Sequence, residues 1–249
     1  MQLQKIILPR KYKFIEGETN PLYKRYDGWN KISYSQKTSF QDYKMGYLRD
    51  YIIGVGNNES GIFAAFGSNC GDYLNPYDEG EYDLLSNNDI VILDTLKTNH
   101  PKNASFEYEI LIDLEPFGLK KTVLQGFTDR QHLTEKGFLE TTDYKTLTIK
   151  TKKAFYESDE YQQLSTYGYG LEELGFKIGE MYVTGLGRSG NNTIKGDKNV
   201  LRLSGEIIRI EKPYDREKAI KVIESIAKTC ADISEYYEVY NNIFALKER

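Results

Sequence analysis

The apolar positions of the chain change period near residue 105: upstream they recur at intervals of three and four, and downstream they alternate. The upstream pattern predicts a helix from Ser35, its N-cap, to about Ile53. A second spans Glu59 to Leu74, with Ser60 near its start and Asn75-Pro76 ending it, and a third spans Leu84 to Leu96. Phe106 to Asp113, Leu119 to Asp129 and Gly137 to Lys145 then read as strands of one sheet. Ser158, with Asp159 and Glu160, is expected to cap a helix that carries Gln163 and ends near Gly175. Met181 to Gly185 and Val200 to Glu211 predict further strands around a loop over residues 187–192. From Asp215 two helices are expected, with Ile220, Ile223, Ile226 and Ala227 at helical spacing. The opening to about Asn30, interrupted by Pro9, Gly17 and Pro21, predicts no regular element. Helices, then a mixed sheet with helices against it, place the chain in the α/β class.

Composition adds outer bounds. A chain of 249 residues with 39% hydrophobic and 28% charged residues suits one soluble globular domain. It divides into an irregular segment over 1–32, a core over 33–212 and C-terminal helices over 213–249. No apolar run has the length of a membrane span, and the opening Met1-Gln2-Leu3-Gln4-Lys5 lacks the features of a signal peptide, so a cytoplasmic protein with no membrane partner is expected. Cys70 and Cys230 stand far apart, without the spacing of a zinc site or a disulfide framework.

The net charge of −4 argues against broad electrostatic adhesion to nucleic acid, but the positive charge is clustered. Lys145, Lys150, Lys152 and Lys153 form one group, and Arg188, Lys195, Lys198 and Arg202 a second. Both could follow a phosphate backbone; either could be a solvated face, the reading favoured for the second. Tyr43, Tyr47 and Tyr51 share a helical spacing that suits packing the helix down, or stacking on unpaired bases. His100 falls in a loop before Pro101, and His132-Leu133-Thr134 is a single His-x-Thr where a two-histidine phosphoesterase needs two. The glycine-rich loop at 187–192 lacks the Lys-Ser/Thr and helix start of a phosphate cradle, and no Ser or Cys stands in a nucleophile elbow.

The strongest chemical signal lies around residues 126–167. Thr134-Glu135-Lys136-Gly137 is a turn between two strands, and Asp129 and Asp143 are equidistant from Lys136. In a symmetric hairpin they face each other, where like charges repel unless a cation lies between them. Asp143 and Lys145, two apart, share one strand face. Two carboxylates and an ammonium in one patch suit phosphodiester hydrolysis: the carboxylates hold Mg²⁺ or Mn²⁺, and the lysine orients or stabilises the attacking water. A solvent-facing ion pair on an ordinary strand is the plain alternative. Gln163 and Tyr167, four apart, share one helix face, which would let the amide reach a metal-bound water or DNA and the phenol pack beside the lysine.

With Gly126-Phe127-Thr128-Asp129, Asp143-Tyr144-Lys145-Thr146 and Gln163 through Tyr167 in that order, the chain resembles the PD-(D/E)XK nucleases. It is most similar to the RecB-type exonuclease branch, which includes CRISPR-associated adaptation exonucleases and phage exonucleases. Ser33 to Phe40 is similar to the family's Ser-rich first helix, and Phe66 to Asp72 resembles its Gly-Ser/Thr-x-x-His-Glu helix, with Gly71 at the position of the metal-binding His. The resemblance implies a restriction-endonuclease-like core and a metal bound by Asp129, Asp143 and the carbonyl of Tyr144, with water or Asp72 completing the sphere. Catalysis would rest on Asp129, Asp143, Lys145, Gln163 and Tyr167, with DNA contacts from Lys150, Lys152 and Lys153. With two cysteines the chain cannot hold the four-cysteine iron–sulfur cluster of several relatives.

The activity expected on this basis is metal-dependent DNA exonuclease action in recombination, replication or repair. A phage origin, in the host cytoplasm, and a recombinase, helicase or single-strand-binding protein as partner are consistent with it. A structure-selective or restriction-like endonuclease and a catalytically degenerate DNA-binding or assembly module are the alternatives. Replacing Asp143 or Lys145 by Ala is expected to leave the fold intact, neither being expected in the core.

Overall fold

The computed structural model describes residues 14–15, 24–26, 29–48, 51, 61–77, 80, 82–189 and 201–247. In chain order its elements are β1 (Phe14–Ile15), β2 (Lys24–Tyr26), β3 (Trp29–Ser33), α1 (Tyr34–Asp42), α2 (Lys44–Tyr47), α3 (Ile62–Leu74), α4 (Asn87–Thr98), β4 (Ser105–Asp113), β5 (Thr122–Leu133), β6 (Leu139–Leu147), α5 (Ile149–Glu157), α6 (Gln163–Glu173), β7 (Ile178–Ser189), β8 (Arg202–Glu211) and α7 (Arg216–Lys247). The class is mixed α/β, with parallel and antiparallel strand pairs and flanking helices, as the period change implied.

The chain forms two compact units. One comprises the described parts of Ile6–Asn58, Glu109–Gly126 and Arg216–Arg249. Here β1, β2 and β3 run as an antiparallel ribbon in the opening expected to be irregular, and β3 continues parallel to the first residues of β5, with Ile32 beside Leu124. Ser33, not Ser35, caps α1: its side chain accepts from the Gln36 N–H at 3.2 Å, and the Gln36 side chain accepts from the Ser33 N–H at 2.9 Å. The reciprocal Ser-x-x-Gln box satisfies two otherwise orphaned donors, which Ser35 cannot match.

The expected Ser35–Ile53 helix breaks at Tyr43, whose extended backbone separates α1 from α2; residues 49, 50, 52 and 53 lie outside the described residues. The tyrosines therefore do not share a face. Tyr43 is 62% exposed, while Tyr47 is buried and stacks on Tyr51 with ring centroids 4.9 Å apart. In place of two C-terminal helices there is one, α7, because no Gly or Pro interrupts residues 216–247. Ala219, Val222, Ile223, Ile226, Ala227, Cys230 and Ile233 keep one buried stripe along it.

The other unit comprises Glu59–Tyr108 and Phe127–Asp215 in their described parts. The remainder of β5 pairs antiparallel with β6, β6 parallel with β7, and β7 antiparallel with β8. Helix α3 starts after Gly61, and Ser60 lies outside the described residues. Helix α4 starts at Asn87 rather than Leu84, because Ser86 and Asp89 form a reciprocal capping box. Asp89, fully buried, also accepts from the Leu203 N–H at 2.6 Å and so ties α4 to β8.

One sheet face buries Tyr144, Leu186 and Leu203 against Phe66, Cys70 and Leu74 of α3 and Leu93 of α4. Residues of the opposite parity, Asp143, Lys145 and Leu147, face the other side. There Tyr161, in the connection between α5 and α6, reaches Asp143, and Gly168 of α6 approaches Met181. Helix α5 was not expected. Ser158 closes it by donating its N–H to the Ala154 carbonyl at 3.0 Å, instead of opening α6, which begins at Gln163. Among the described residues no helix is long and apolar enough to cross a membrane.

Candidate active site

The hairpin joining β5 and β6 has the symmetric register read from the sequence. Arg130 pairs with Thr142 and Leu133 with Leu139, and the next pair outward along that register is Asp129 with Asp143. The turn closes where expected: Gly137, at φ +78°, donates its N–H to the Thr134 carbonyl at 2.9 Å. Beyond Arg130 the ladder gives way to a side-chain contact. The Tyr144 N–H donates to Asp129 Oδ2 at 2.5 Å. N–H and C=O of one strand residue leave on the same edge, so the Tyr144 carbonyl is also directed toward the β5 side.

Asp143 is buried, with a side chain 1% exposed. Its Oδ2 receives the Lys145 ammonium at 2.7 Å and the Tyr161 hydroxyl at 2.6 Å. Its Oδ1 is buried without a hydrogen-bond partner. The expectation that neither residue belongs to the core is corrected for Asp143: the lysine and the phenol together make burial of the charge tolerable. Lys145 keeps a side chain 30% exposed and is the more accessible member of the pair.

Tyr161 carries the contact onward. Its hydroxyl lies 3.2 Å from Gln163 Oε1, and Gln163 donates its amide N–H to the Tyr167 hydroxyl at 2.5 Å. The structure thus gathers Asp129, Asp143, Lys145, Gln163 and Tyr167 as expected and adds Tyr161, which sequence reasoning missed. Its one signal was position, two residues before the Gln163 to Tyr167 motif and at the end of a polar connection.

Electrostatics follow from this crowding. Burial and then the Asp143 charge push the Asp129 carboxyl up to about 7, against the pull of Lys145 and the Tyr144 N–H. Burial by itself would lower the Lys145 pKa, but Asp143 and Asp129 more than reverse this and hold it above the usual lysine value. Burial followed by the Asp143 charge raises the Tyr161 phenol far above its ordinary range, so it remains a donor.

A divalent cation fits the residues present in one respect. The sheltered, unpartnered Oδ1 of Asp143, beside Asp129 and the Tyr144 carbonyl, is the donor set that a hard cation takes. Among the described residues, however, no three His, Cys, Asp or Glu side chains form a group that could hold a metal, so Asp72 does not join the two aspartates. Gly71 supplies no ligand, and a Cβ added there would meet nothing within 4 Å. Mg²⁺ commonly uses one or two carboxylates and takes its remaining ligands from water and substrate phosphate.

The expected DNA-contact lysines Lys150, Lys152 and Lys153 all lie exposed on α5. Lys153 pairs with Glu157 at 3.5 Å. From the second basic cluster, Lys195 and Lys198 lie outside the described residues. Arg188 places its guanidinium 4.0 Å over the Phe63 ring, with Nε buried and unpartnered. The histidines stand elsewhere: His100 Nε2 is 2.9 Å from the Tyr144 hydroxyl, and His132 lies 3.8 Å from Glu140.

No protein-family model matches the chain, and no curated protein matches it. Among solved structures, the crystal structure of SSO0001 is similar over 80% of this chain and 75% of its own, at 14% sequence identity and a TM-score of 0.41.

Proposed function

We propose that the protein is a divalent-metal-dependent DNA exonuclease with a PD-(D/E)XK-type site. The observation that carries this reading is the buried Asp143 carboxylate, one oxygen held by Lys145 and Tyr161 and the other without a partner, beside Asp129. In this reading Asp129, Asp143 and the Tyr144 carbonyl would hold Mg²⁺ or Mn²⁺. The bound ion would neutralise phosphate charge and lower the pKa of a coordinated water.

The chain's own groups have distinct tasks. With its pKa held above the usual value, Lys145 is a poor proton acceptor; it orients the nucleophile and stabilises the negative charge that develops on the phosphate. Tyr161 holds the Asp143 carboxylate by Oδ2, and Oδ1 would be the oxygen available to a metal. Gln163 links Tyr161, whose hydroxyl lies 3.2 Å from its Oε1, to Tyr167, which accepts from its amide N–H, and so supports the tyrosine that holds Asp143. Removing the Lys145 charge is expected to cost about 10²- to 10³-fold in rate.

The test is a time course on end-labelled linear single- and double-stranded DNA and a closed circle, with Mg²⁺, Mn²⁺ or EDTA, for the wild type, Lys145→Ala and the near-isosteric Asp143→Asn. Circular dichroism checks that each variant folds. Metal-dependent loss of linear DNA alone, absent from both variants, supports the exonuclease; cutting of the circle transfers the site to an endonuclease. A second reading has its own observation: among the described residues no third metal-ligating side chain joins Asp129 and Asp143, and Gly71 stands at the family's His position. A catalytically degenerate DNA-binding module predicts binding without turnover in any metal.

A further inference from the structure

We propose that Phe155 and Lys152 of α5 form a nucleotide subsite beside the candidate active site, in which an unpaired base stacks on the Phe155 ring and its phosphate meets Lys152. This rests on the reading of the site as one that takes a nucleic acid strand. Phe155 is a large apolar side chain left 44% exposed. Its ring lies 5.9 Å from that of Tyr161 and 5.3 Å from that of Tyr156, and the latter two rings are 4.9 Å apart. Tyr161 in turn donates to Asp143 at 2.6 Å. An exposed aromatic surface is therefore one ring removed from the carboxylate that the proposed chemistry uses.

Charge selects the occupant. Lys152 stands three residues before Phe155 and shares its side of the helix. Lys150 and Lys152 are exposed and make no ion pair among the described residues. Only Lys153 of the three is neutralised, by Glu157. A basic island on a chain of net charge −4, interleaved with an exposed ring, complements a polyanion that carries planar bases. Paired bases in a duplex are already stacked on both faces, so the ring favours an unpaired strand. The edge-on contacts of Phe155 with Tyr156 and Tyr161 fix its orientation in advance.

The experiment measures binding of a short fluorescent oligo-dT, and of an abasic oligomer of the same length, in EDTA. Wild type, Phe155→Ala, Phe155→Trp and Lys152→Ala are compared. Stacking predicts that Phe155→Ala weakens oligo-dT binding by about 5- to 150-fold. Phe155→Trp is expected to restore it. The abasic strand should bind wild type as weakly as the Ala variant and show no further loss in that variant, a coupling that a merely structural role for Phe155 does not produce. Lys152→Ala should reduce the slope of log affinity against log salt by about one. Oligo-dT affinity indifferent to Phe155, equal sensitivity of Phe155→Ala and wild type to base removal, or no binding by wild type overturns the proposal. Cleavage of the same strand in Mn²⁺ is scored separately. Phe155-dependent binding without cleavage ends the nuclease reading and keeps the subsite, and cleavage without Phe155 dependence does the reverse.

Discussion

Replacing Tyr161 by Phe removes one oxygen atom and keeps the ring that packs 4.9 Å from Tyr156 and 5.9 Å from Phe155. What is lost is a 2.6 Å hydrogen bond to a carboxylate whose side chain is 1% exposed. Hydrogen bonds to charged groups contribute about 1.5–3 kcal/mol, and at about 2–4 °C per kcal/mol for a chain of this size the melting temperature should fall by roughly 3–12 °C. Lys145 still holds the same oxygen at 2.7 Å, so the charge is not left alone and the loss stays below the roughly 3–5 kcal/mol expected for breaking a buried ion pair. Function should respond more sharply than stability. A group that orients a metal-binding carboxylate typically matters by about 10- to 100-fold in metal affinity or activity. Calorimetric titration of Mn²⁺ into the folded variant, alongside thermal unfolding, reads both quantities. A variant with wild-type melting temperature and wild-type Mn²⁺ affinity would show that the Tyr161 contact neither supports the fold nor orients Asp143, and the site as argued would collapse.

Three further outcomes are expected. Asp89→Ala removes the acceptor of the Ser86 N–H and hydroxyl bonds, 2.8 and 2.6 Å long, and leaves the Leu203 N–H unpaired in the core; the loss should be about 2–4 kcal/mol by urea denaturation, and a change below about 0.5 kcal/mol contradicts the role assigned to Asp89. Gly185→Ala puts a Cβ against Leu147 Cδ2, a fully buried side chain, and should destabilise by roughly 1–3 kcal/mol through overpacking; an unchanged urea midpoint refutes it. Both histidines are shifted downward, His100 to about 4, with burial the first cause in each; Arg130 and Lys97 add to it at His100, while at His132 Glu140 opposes it and Arg130 and Arg209 add to it. The unfolded chain therefore takes up these protons before the folded one does, so their contribution is fully present above the unfolded value near 6.5 and is lost as pH falls toward the folded values. The urea midpoint should fall from pH 7.5 to 5 by more in wild type than in a His100→Gln, His132→Gln variant, and parallel curves count against this.

Some parts of the site were legible because they follow from local rules. A turn at Thr134–Gly137 with Asp129 and Asp143 equidistant from Lys136 leaves one symmetric register, and the period of a strand puts Lys145 beside Asp143. The fourfold spacing of Gln163 and Tyr167 likewise places them within hydrogen-bond reach on α6. Other parts were hidden because several local signals compete. Ser33, Ser35 and Gln36 offer two possible starts for α1, and only the reciprocal bond from Gln36 decides between them. Ser158 resembles an N-cap by residue type, yet the helical period of residues 149–157 makes it a helix end. The burial of Asp143 and the role of Tyr161 depend on a contact spanning 18 residues, which no local pattern encodes.

That long-range contact accounts for how a charge is kept where the sheet alone would not keep it. Hairpin register brings two carboxylates together and leaves the like charges to repel; burial first, and then the Asp143 charge, push the Asp129 carboxyl up to about 7. Lys145 answers part of it from the same strand face. The other part comes from the connection between α5 and α6, which lowers Tyr161, only 6% exposed, onto Asp143. The strand pair is thus organised for charge, and the helical connection determines which carboxylate oxygen is left without a partner. If so, lengthening the 158–162 connection by inserted glycines should uncouple the two: the hairpin and its register persist, because their hydrogen bonds are internal to β5 and β6, while the hold on Asp143 Oδ2 falls to Lys145 alone. Amide exchange across β5 and β6 should then match wild type while Mn²⁺ affinity drops by the same order of magnitude as in Tyr161→Phe. Loss of hairpin protection in the insertion variant would instead mean that Tyr161 helps to hold the strands together, and the division of labour between sheet and connection would be wrong.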